Sequence, residues 1–357
     1  MSGYDYGNTR LRARRAALLR GEQYAALLGC DLPGLLAALA ATSYRPQAKA
    51  AAGASDGQLG KLYRVARDHL AVALADVTGF YRNRPGQVVA ALLGRFDVHN
   101  VLALLRAAHH GRAEAAADTA LLPVGRLDAR TVSEAAAQPD LPAAARVLAA
   151  RRLPDPDTAA ALAAVSRQYE VETSLAAVEH AVASSARAHQ LRVLTAAGPA
   201  AEPAAAALRR ETDDANLMLA LRARQANGPP ADSAAGTAGP PYLPGGTVPD
   251  ARFAAIRRAP ARADVLAVAV RASARWRSPL TAWAEGGDLA TLQAGLDTER
   301  LRTELRLLRR ADPLGPAPVL HHVLAHQVQA RNIQLLAQAA AGAIDHDTAR
   351  QHLITPV

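Results

Sequence analysis

Residues 95–106 read Arg95-Phe-Asp97-Val-His99-Asn100-Val-Leu-Ala-Leu-Leu-Arg106, which places an acid, a base and an amide within four positions ahead of an apolar run. An active site uses such a trio, and so does the polar start of a helix. Internal similarity separates the two readings. The outline returns at Glu211-Thr-Asp213-Asp-Ala-Asn216-Leu-Met-Leu-Ala-Leu-Arg222 and, more weakly, at Val328-Gln-Ala-Arg-Asn332-Ile-Gln-Leu-Leu336. Asn100, Asn216 and Asn332 are spaced 116 residues apart both times. Asp97 and Asp213 precede the first two by three positions, and Arg106 and Arg222 follow by six. The third copy carries Gln329 and Gln338 there instead.

A catalytic group is expected to be unique, whereas here the acid and the amide recur and the histidine does not. Ala215 and Arg331 stand where His99 stands. A repeated short polar pair before an apolar helical run points to packing or backbone capping. Asp and Asn oxygens can accept from free N–H groups in a helix's first turn, worth about 1 kcal/mol each. Alternatively, the asparagine lies inside a long helix and bonds across to a neighbour. Leu121-Leu-Pro-Val-Gly-Arg-Leu-Asp128 follows the first motif, and Tyr242-Leu-Pro-Gly-Gly-Thr-Val-Pro249 follows the second. The pattern predicts three helical units of similar plan, over residues 1–125, 126–245 and 246–357, with a Pro/Gly-rich loop closing the second.

Composition gives the fold class. Half of the 357 residues are hydrophobic, mostly Ala and Leu, and 4% are aromatic. Strong helix formers abound while β-branched and aromatic residues are scarce, so the chain is expected to be all-α. Amphipathic segments are predicted at about 59–79, 87–109, 157–195, 204–225, 289–310 and 316–341, with another over Arg12–Leu19. Asp31-Leu-Pro33 reads as a helix start. Breaks are expected at Arg84-Pro-Gly, Leu153-Pro-Asp-Pro, Gly198-Pro and Asp312-Pro-Leu-Gly-Pro, and the largest at Asn227–Thr247.

The formal net charge is +9, which allows an anionic partner. Lys49 and Lys61 are the only lysines, however, and the arginines are dispersed among acids. Solvated helix faces account for most of that charge. Cys30 is the single cysteine, so neither an intramolecular disulfide nor a thiolate metal cluster can form. No N-terminal apolar stretch reads as a secretory signal, and runs such as Leu32–Ala41 fall short of a membrane span.

Other polar groups give little chemistry. His322 and His326 share a helix face, but Val323 stands where a zinc-protease glutamate would be, so the stretch reads as a wet or interfacial stripe. His109-His110-Gly111 reads as a helix C-terminus. Gly53–Leu62 lacks the phosphate-loop pattern, with Ser55 and Leu62 at the deciding positions. No catalytic, cofactor-binding or metal-binding residues are expected.

Taken in order, Tyr4-Asp-Tyr6-Gly-Asn8-Thr-Arg10-Leu-Arg12, Phe96-Asp-Val-His-Asn100 with Leu104-Leu-Arg106, Leu122-Pro-Val-Gly-Arg-Leu, Leu243-Pro-Gly-Gly, Asp312-Pro-Leu-Gly-Pro-Ala-Pro-Val-Leu320 and Arg331-Asn332 resemble the C subunits of the V/A-type rotary ATPases, counterparts of the d subunit of the vacuolar pump. The resemblance runs from about residue 4 to 352. It implies a three-lobed funnel with pseudo-threefold symmetry and no enzymatic activity. It further implies a socket on the cytoplasmic face of the proteolipid ring, present in one copy and receiving the D and F subunits of the central stalk. Asp97, Asn100, Arg106, Asp213, Asn216, Arg222 and Asn332 are then repeat supports or interface residues, and Arg10 and Arg12 are candidate N-terminal contacts. The competing readings are a generic helical-repeat scaffold and a basic nucleic-acid-binding protein. The latter lacks a recognition motif and an aromatic stacking platform.

Overall fold

The computed structural model describes residues 3–111, 121–122, 124–168, 174–227 and 241–356, and no strand occurs among them. In chain order the α-helices are α1 Asp5–Arg14, α2 Gly21–Leu28, α3 Leu32–Leu39, α4 Arg45–Ala52, α5 Gln58–Ala75, α6 Asn83–His109, α7 Ala129–Ala136, α8 Leu141–Ala150 and α9 Pro156–Gln168. They continue as α10 Leu175–Ala196, α11 Glu202–Asn227, α12 Asp250–Arg258, α13 Arg262–Ala272, α14 Arg277–Ala284, α15 Leu289–Arg310, α16 Ala317–Ala340 and α17 His346–His352. The all-α expectation therefore holds.

Local chemistry sets the helix ends. Asp31 and Asp140 each accept the backbone N–H three residues on, from Gly34 and Ala143 at 2.8 Å. Each aspartate is followed by Leu-Pro, and the proline occupies a first-turn position whose N–H has no helical partner. For the same reason Arg84-Pro85-Gly86, expected as a break, lies inside the first turn of α6. The segment expected over 157–195 divides into α9 and α10. Most of the expected Asn227–Thr247 loop falls at 228–240, outside the described residues. His109-His110-Gly111 ends α6 as expected, with Gly111 at φ +65°.

The chain divides into two compact units, Met1–Ala204 with Leu305–Val357, and Ala205–Glu304. In the first, α6 runs antiparallel to α10. Arg106 reaches Glu179 toward one end of the pair, and Gln190 donates to the Ala91 carbonyl (3.1 Å) toward the other. Val101, Leu104 and Leu105 meet Val178 and Val182 in a core that takes in Leu141, Leu148 and Leu162 of the shorter helices. The same unit holds a second antiparallel pair, α16 with α5. Gln338 donates to the Tyr63 hydroxyl (3.2 Å), and His322 Nε2 faces the Ala73 carbonyl (3.4 Å).

The second unit holds a third antiparallel pair, formed by α11 and α15. Arg210 makes a bidentate pair with Glu304 (2.6 and 2.8 Å), and Arg222 donates to Gln293 (2.6 Å). Its core gathers Phe253, Trp276, Leu280 and Trp283 around Leu217, Leu221, Leu292 and Leu296. Asp214 is buried there, receiving Trp276 Nε1 (2.6 Å) and Arg275 Nη1 (2.6 Å). Burial pushes its carboxyl up to about 6, against the lowering pull of Arg275, Trp276 and Arg300.

α6 is long and apolar enough to cross a bilayer, but 61% of its apolar window is buried inside the protein, which is the mark of a core helix. α16 goes further and is buried along nearly its whole length. His321, His322 and His326 are 1, 2 and 5% exposed, so the wet stripe expected of them is corrected. Periodicity reads polar residues as a surface face, but these three histidines lie where α16 is covered by its neighbours. The His322 and His326 rings lie 4.5 Å apart edge-on, and His69 of α5 stacks on Tyr44 at 3.7 Å.

Desolvation holds His69, His321 and His322 down at about 4, and His326 well below its ordinary value. The nearby Arg14, Arg15 and Arg309 reinforce this among the α16 histidines, while Asp76 opposes it at His322. The unfolded chain titrates near 6.5, so it takes up protons that the folded state refuses. Stability from these groups is complete above about pH 6.5 and falls as pH drops toward 4. Thermal melting is therefore expected to fall steeply over that window, and H326Q is expected to flatten the fall by one proton's worth. An unchanged slope in H326Q counts against it.

Candidate functional site

The polar residues of the repeat lie in the middle of long helices, not at their starts. Asn100 occupies α6, Asn216 α11 and Asn332 α16. First-turn capping is therefore replaced by the other reading, a bond across to a neighbouring segment. An asparagine amide offers one donor and one acceptor side by side, matching the C=O and N–H of a single extended residue. Asn100 Nδ2 donates to the Leu122 carbonyl (2.7 Å), and the Leu122 N–H donates back to Asn100 Oδ1 (2.9 Å). Asn216 grips Leu243 in the same way, at 2.9 and 2.7 Å. Asn332 grips Ile354 at 2.7 and 3.3 Å.

The aspartates complete two of these clamps. Asp97 accepts from the backbone N–H groups of Arg126 (2.9 Å) and Leu127 (3.0 Å). Asp213 accepts from those of Thr247 (2.8 Å) and Val248 (3.0 Å), and from the Thr247 hydroxyl (2.5 Å). In each loop a glycine directly precedes the donors. A Cβ on Gly125 would lie 2.2 Å from the Asp97 carboxylate, and one on Gly246 2.3 Å from Asp213 Oδ1. Glycine is required because the carboxylate occupies the space a side chain would fill. Burial raises the Asp97 carboxyl above its ordinary value, and the two backbone donors oppose the rise. In the third copy Gln329 turns away and accepts from the Tyr44 hydroxyl (3.0 Å).

The clamped loops are the Leu-Pro-x-Gly echoes of the sequence. The partner of Asn332 went unrecognised there, although Ile354-Thr-Pro356 retains the aliphatic residue and a nearby proline. The glycines also went unremarked, and their signal was the shared Gly two residues after Pro. Arg106, Arg222 and Gln338, six positions beyond each asparagine, all reach the antiparallel partner helix, at Glu179, Gln293 and Tyr63.

A related tie joins two distant landmarks of the first unit. Asn8 of α1 donates to the carbonyls of Pro313 (2.8 Å) and Gly315 (2.9 Å) and accepts from the Tyr81 hydroxyl (2.8 Å). Gly7 is needed because a Cβ there would meet the Tyr81 ring at 2.2 Å. Arg12 points its guanidinium toward the Pro313 carbonyl (3.5 Å), while Arg10 lies on another face of α1 with Tyr6.

His99, the member that does not recur, lines a cavity of about 480 Å³ with Tyr63, Arg64, Arg67 and Gln334. It forms no catalytic trio, since Asp97 and Asn100 are both committed to backbone. Among the described residues one group has metal-ligand proximity, Asp155, Asp157 and His189. Asp155 caps α9 through the Thr158 N–H and hydroxyl (3.0 and 2.7 Å). The Arg192 guanidinium bonds Asp157 and lies 3.1 Å from His189 Nδ1, supplying the positive charge a cation would bring. The arrangement is an ion-paired helix cap.

Replacing a clamp asparagine leaves a partly buried N–H and C=O without partners, each at about 1–3 kcal/mol. N100L, close in volume, is expected to lower unfolding free energy by about 2–4 kcal/mol in chemical denaturation. G125A is expected to destabilise in the same assay by displacing Asp97, and D97A to relieve much of that clash in the G125A/D97A double variant. A wild-type midpoint for N100L would contradict the clamp.

Comparison with known proteins places the sequence in a family. The family model described as "ATP synthase (C/AC39) subunit" matches residues 7–352. A relative, the C subunit of the A-type ATP synthase of Haloferax volcanii, is 25% identical over 362 residues, covering 99% of this chain and 98% of that protein. The chain belongs to the ATP synthase C/AC39 subunit family, the non-catalytic accessory subunits of A/V-type rotary ATPases.

Proposed function

We propose that this protein is the rotor-coupling subunit of its ATPase, a socket on the cytoplasmic face of the proteolipid ring that receives the D and F subunits of the central stalk. One copy sits on the rotation axis, so that ATP hydrolysis or synthesis in the head is coupled to ion movement through the membrane. The observation that carries this reading is the family match across residues 7–352.

Physical features support it. A coupler must carry torque without yielding, and antiparallel long helices packed through Ala and Leu leave little slack. The side-chain clamps add ties that fix loops to helices. Among the described residues, three shorter α-helices immediately precede each of the paired helices α5, α10 and α15. We read three lobes in that plan, one about each antiparallel pair, with α16 closed by the N-terminal helices α2–α5. The arginines left on the surface steer docking onto acidic partners more than they add affinity.

A tagged full-length protein is expected to co-purify from detergent-solubilised membranes with proteolipid and stalk subunits. Deleting the gene for this protein is expected to leave ATP hydrolysis by the detached head largely intact while ATP-driven ion uptake into vesicles is lost. Loss of the head's own hydrolysis, or ion uptake at the wild-type rate, would contradict the coupling role.

A further inference from the structure

Tyr6, Arg10 and Arg14 fall at successive four-residue steps along α1 and form one stripe. The Arg10 guanidinium sits 4.8 Å from the Phe80 ring centre and 5.5 Å from that of Tyr6, and it donates to the Tyr6 hydroxyl (2.7 Å). Arg14 lies 4.8 Å from the same Phe80 ring and holds Asp76 in a bidentate pair (2.7 and 2.6 Å). Tyr6 and Phe80 meet edge to face at 6.4 Å. This assembly faces solvent, for Tyr6 is 62% exposed, and Val72, one helical turn before Asp76, is 63% exposed. Large apolar side chains so exposed are few among the described residues, and two of them sit here beside ordered arginines.

From this patch we infer a docking site for a carboxylate-bearing segment of a partner protein, with Tyr6 and Arg10 as its anchors and Phe80 as the ring that holds Arg10 in place. The inference rests on the proposed role within the ATPase complex. Three features carry it. Tyr and Arg are the residue types that dominate binding energy at protein interfaces. Arg10 makes no ion pair among the described residues, although Asp76 feels its charge; its guanidinium is fixed by π faces and, through Nη1, by a phenol, which leaves its other N–H groups for a carboxylate. Asp76 is held by Arg14 and also feels Arg10, so two guanidiniums over one carboxylate leave the stripe a single surplus positive charge. The smallness of that surplus decides the class of partner. One surplus guanidinium adds little at an anionic bilayer, where recognition takes clusters of basic residues, whereas a single acidic side chain can engage Arg10 directly.

The test uses the full-length tagged chain assembled in its complex. R10E and Y6S change exposed side chains, so both are expected to fold with wild-type circular dichroism and melting. Retention of the other ATPase subunits is read across a salt series. R10E is expected to lose them at least tenfold more readily than wild type, and Y6S to share the defect. With p-benzoylphenylalanine at position 6, photo-crosslinking in the intact complex is expected to map by mass spectrometry to another subunit, at a segment bearing Asp or Glu within one helical turn. If wild type retains its partners and R10E retains them equally, the docking site is wrong and the coupling role stands. A crosslink to a segment without acids overturns the site as well. If R10E instead loses binding to vesicles of phosphatidylcholine with phosphatidylglycerol while subunit retention is unchanged, the patch faces lipid and the proposal fails. If wild type itself retains no ATPase subunit, the coupling role and the site fall together.

Discussion

An asparagine side chain is a peptide group on a short tether, and three of them organise this protein. Each sits mid-helix and pairs with both polar groups of one loop residue, Leu122, Leu243 or Ile354. A helix interior has no spare backbone donors or acceptors, so it can hold an irregular loop only through a side chain. Asn is the side chain that offers both polarities at short reach. Leucine offers neither, aspartate lacks the donor, and glutamine adds a methylene whose freedom must be frozen.

Other features follow from that constraint. Once a loop is gripped at one residue, the next few backbone N–H groups need acceptors as well. Asp97 and Asp213, one turn earlier on the same helices, supply them. Bringing a carboxylate so close to backbone forces glycine at positions 125 and 246. The third clamp diverges on a helix that is buried along nearly its whole length. Gln329 there meets the buried Tyr44 hydroxyl, and the histidines around it are neutral by desolvation. The proposed mechanical role asks for such redundancy. Losing one tie is local, while the antiparallel pairs keep their own side-chain bonds and cores.

The sequence made the fold class and the repeat legible, because Ala/Leu richness and a 116-residue spacing are composition and pattern. It also placed most long helices correctly, and the Asp-Leu-Pro start at residue 31. It misjudged what depends on the surroundings of a helix. His321, His322 and His326 read as a wet stripe since their burial comes from α5 and neighbouring segments distant in sequence. Arg84-Pro-Gly read as a break since proline's tolerance in a first turn depends on where that turn begins. The clamp partners were visible only as loosely echoing loops, because a hydrogen bond spanning 22 or 27 residues leaves no periodic trace. The stripe of Tyr6, Arg10 and Arg14 was within reach at four-residue spacing, but Phe80, which completes it, arrives from another segment.

Three side-chain amides, and not chemistry at a site, explain the repeated motif, and residue-resolved hydrogen exchange of the folded protein tests this most directly. The amides of Leu122, Leu243 and Ile354, though outside any helix, are expected to exchange as slowly as core helical amides. Replacing Asn216 by leucine is expected to release Leu243 alone among the three. Exchange of the three amides at unprotected rates in the wild-type protein would contradict the clamps.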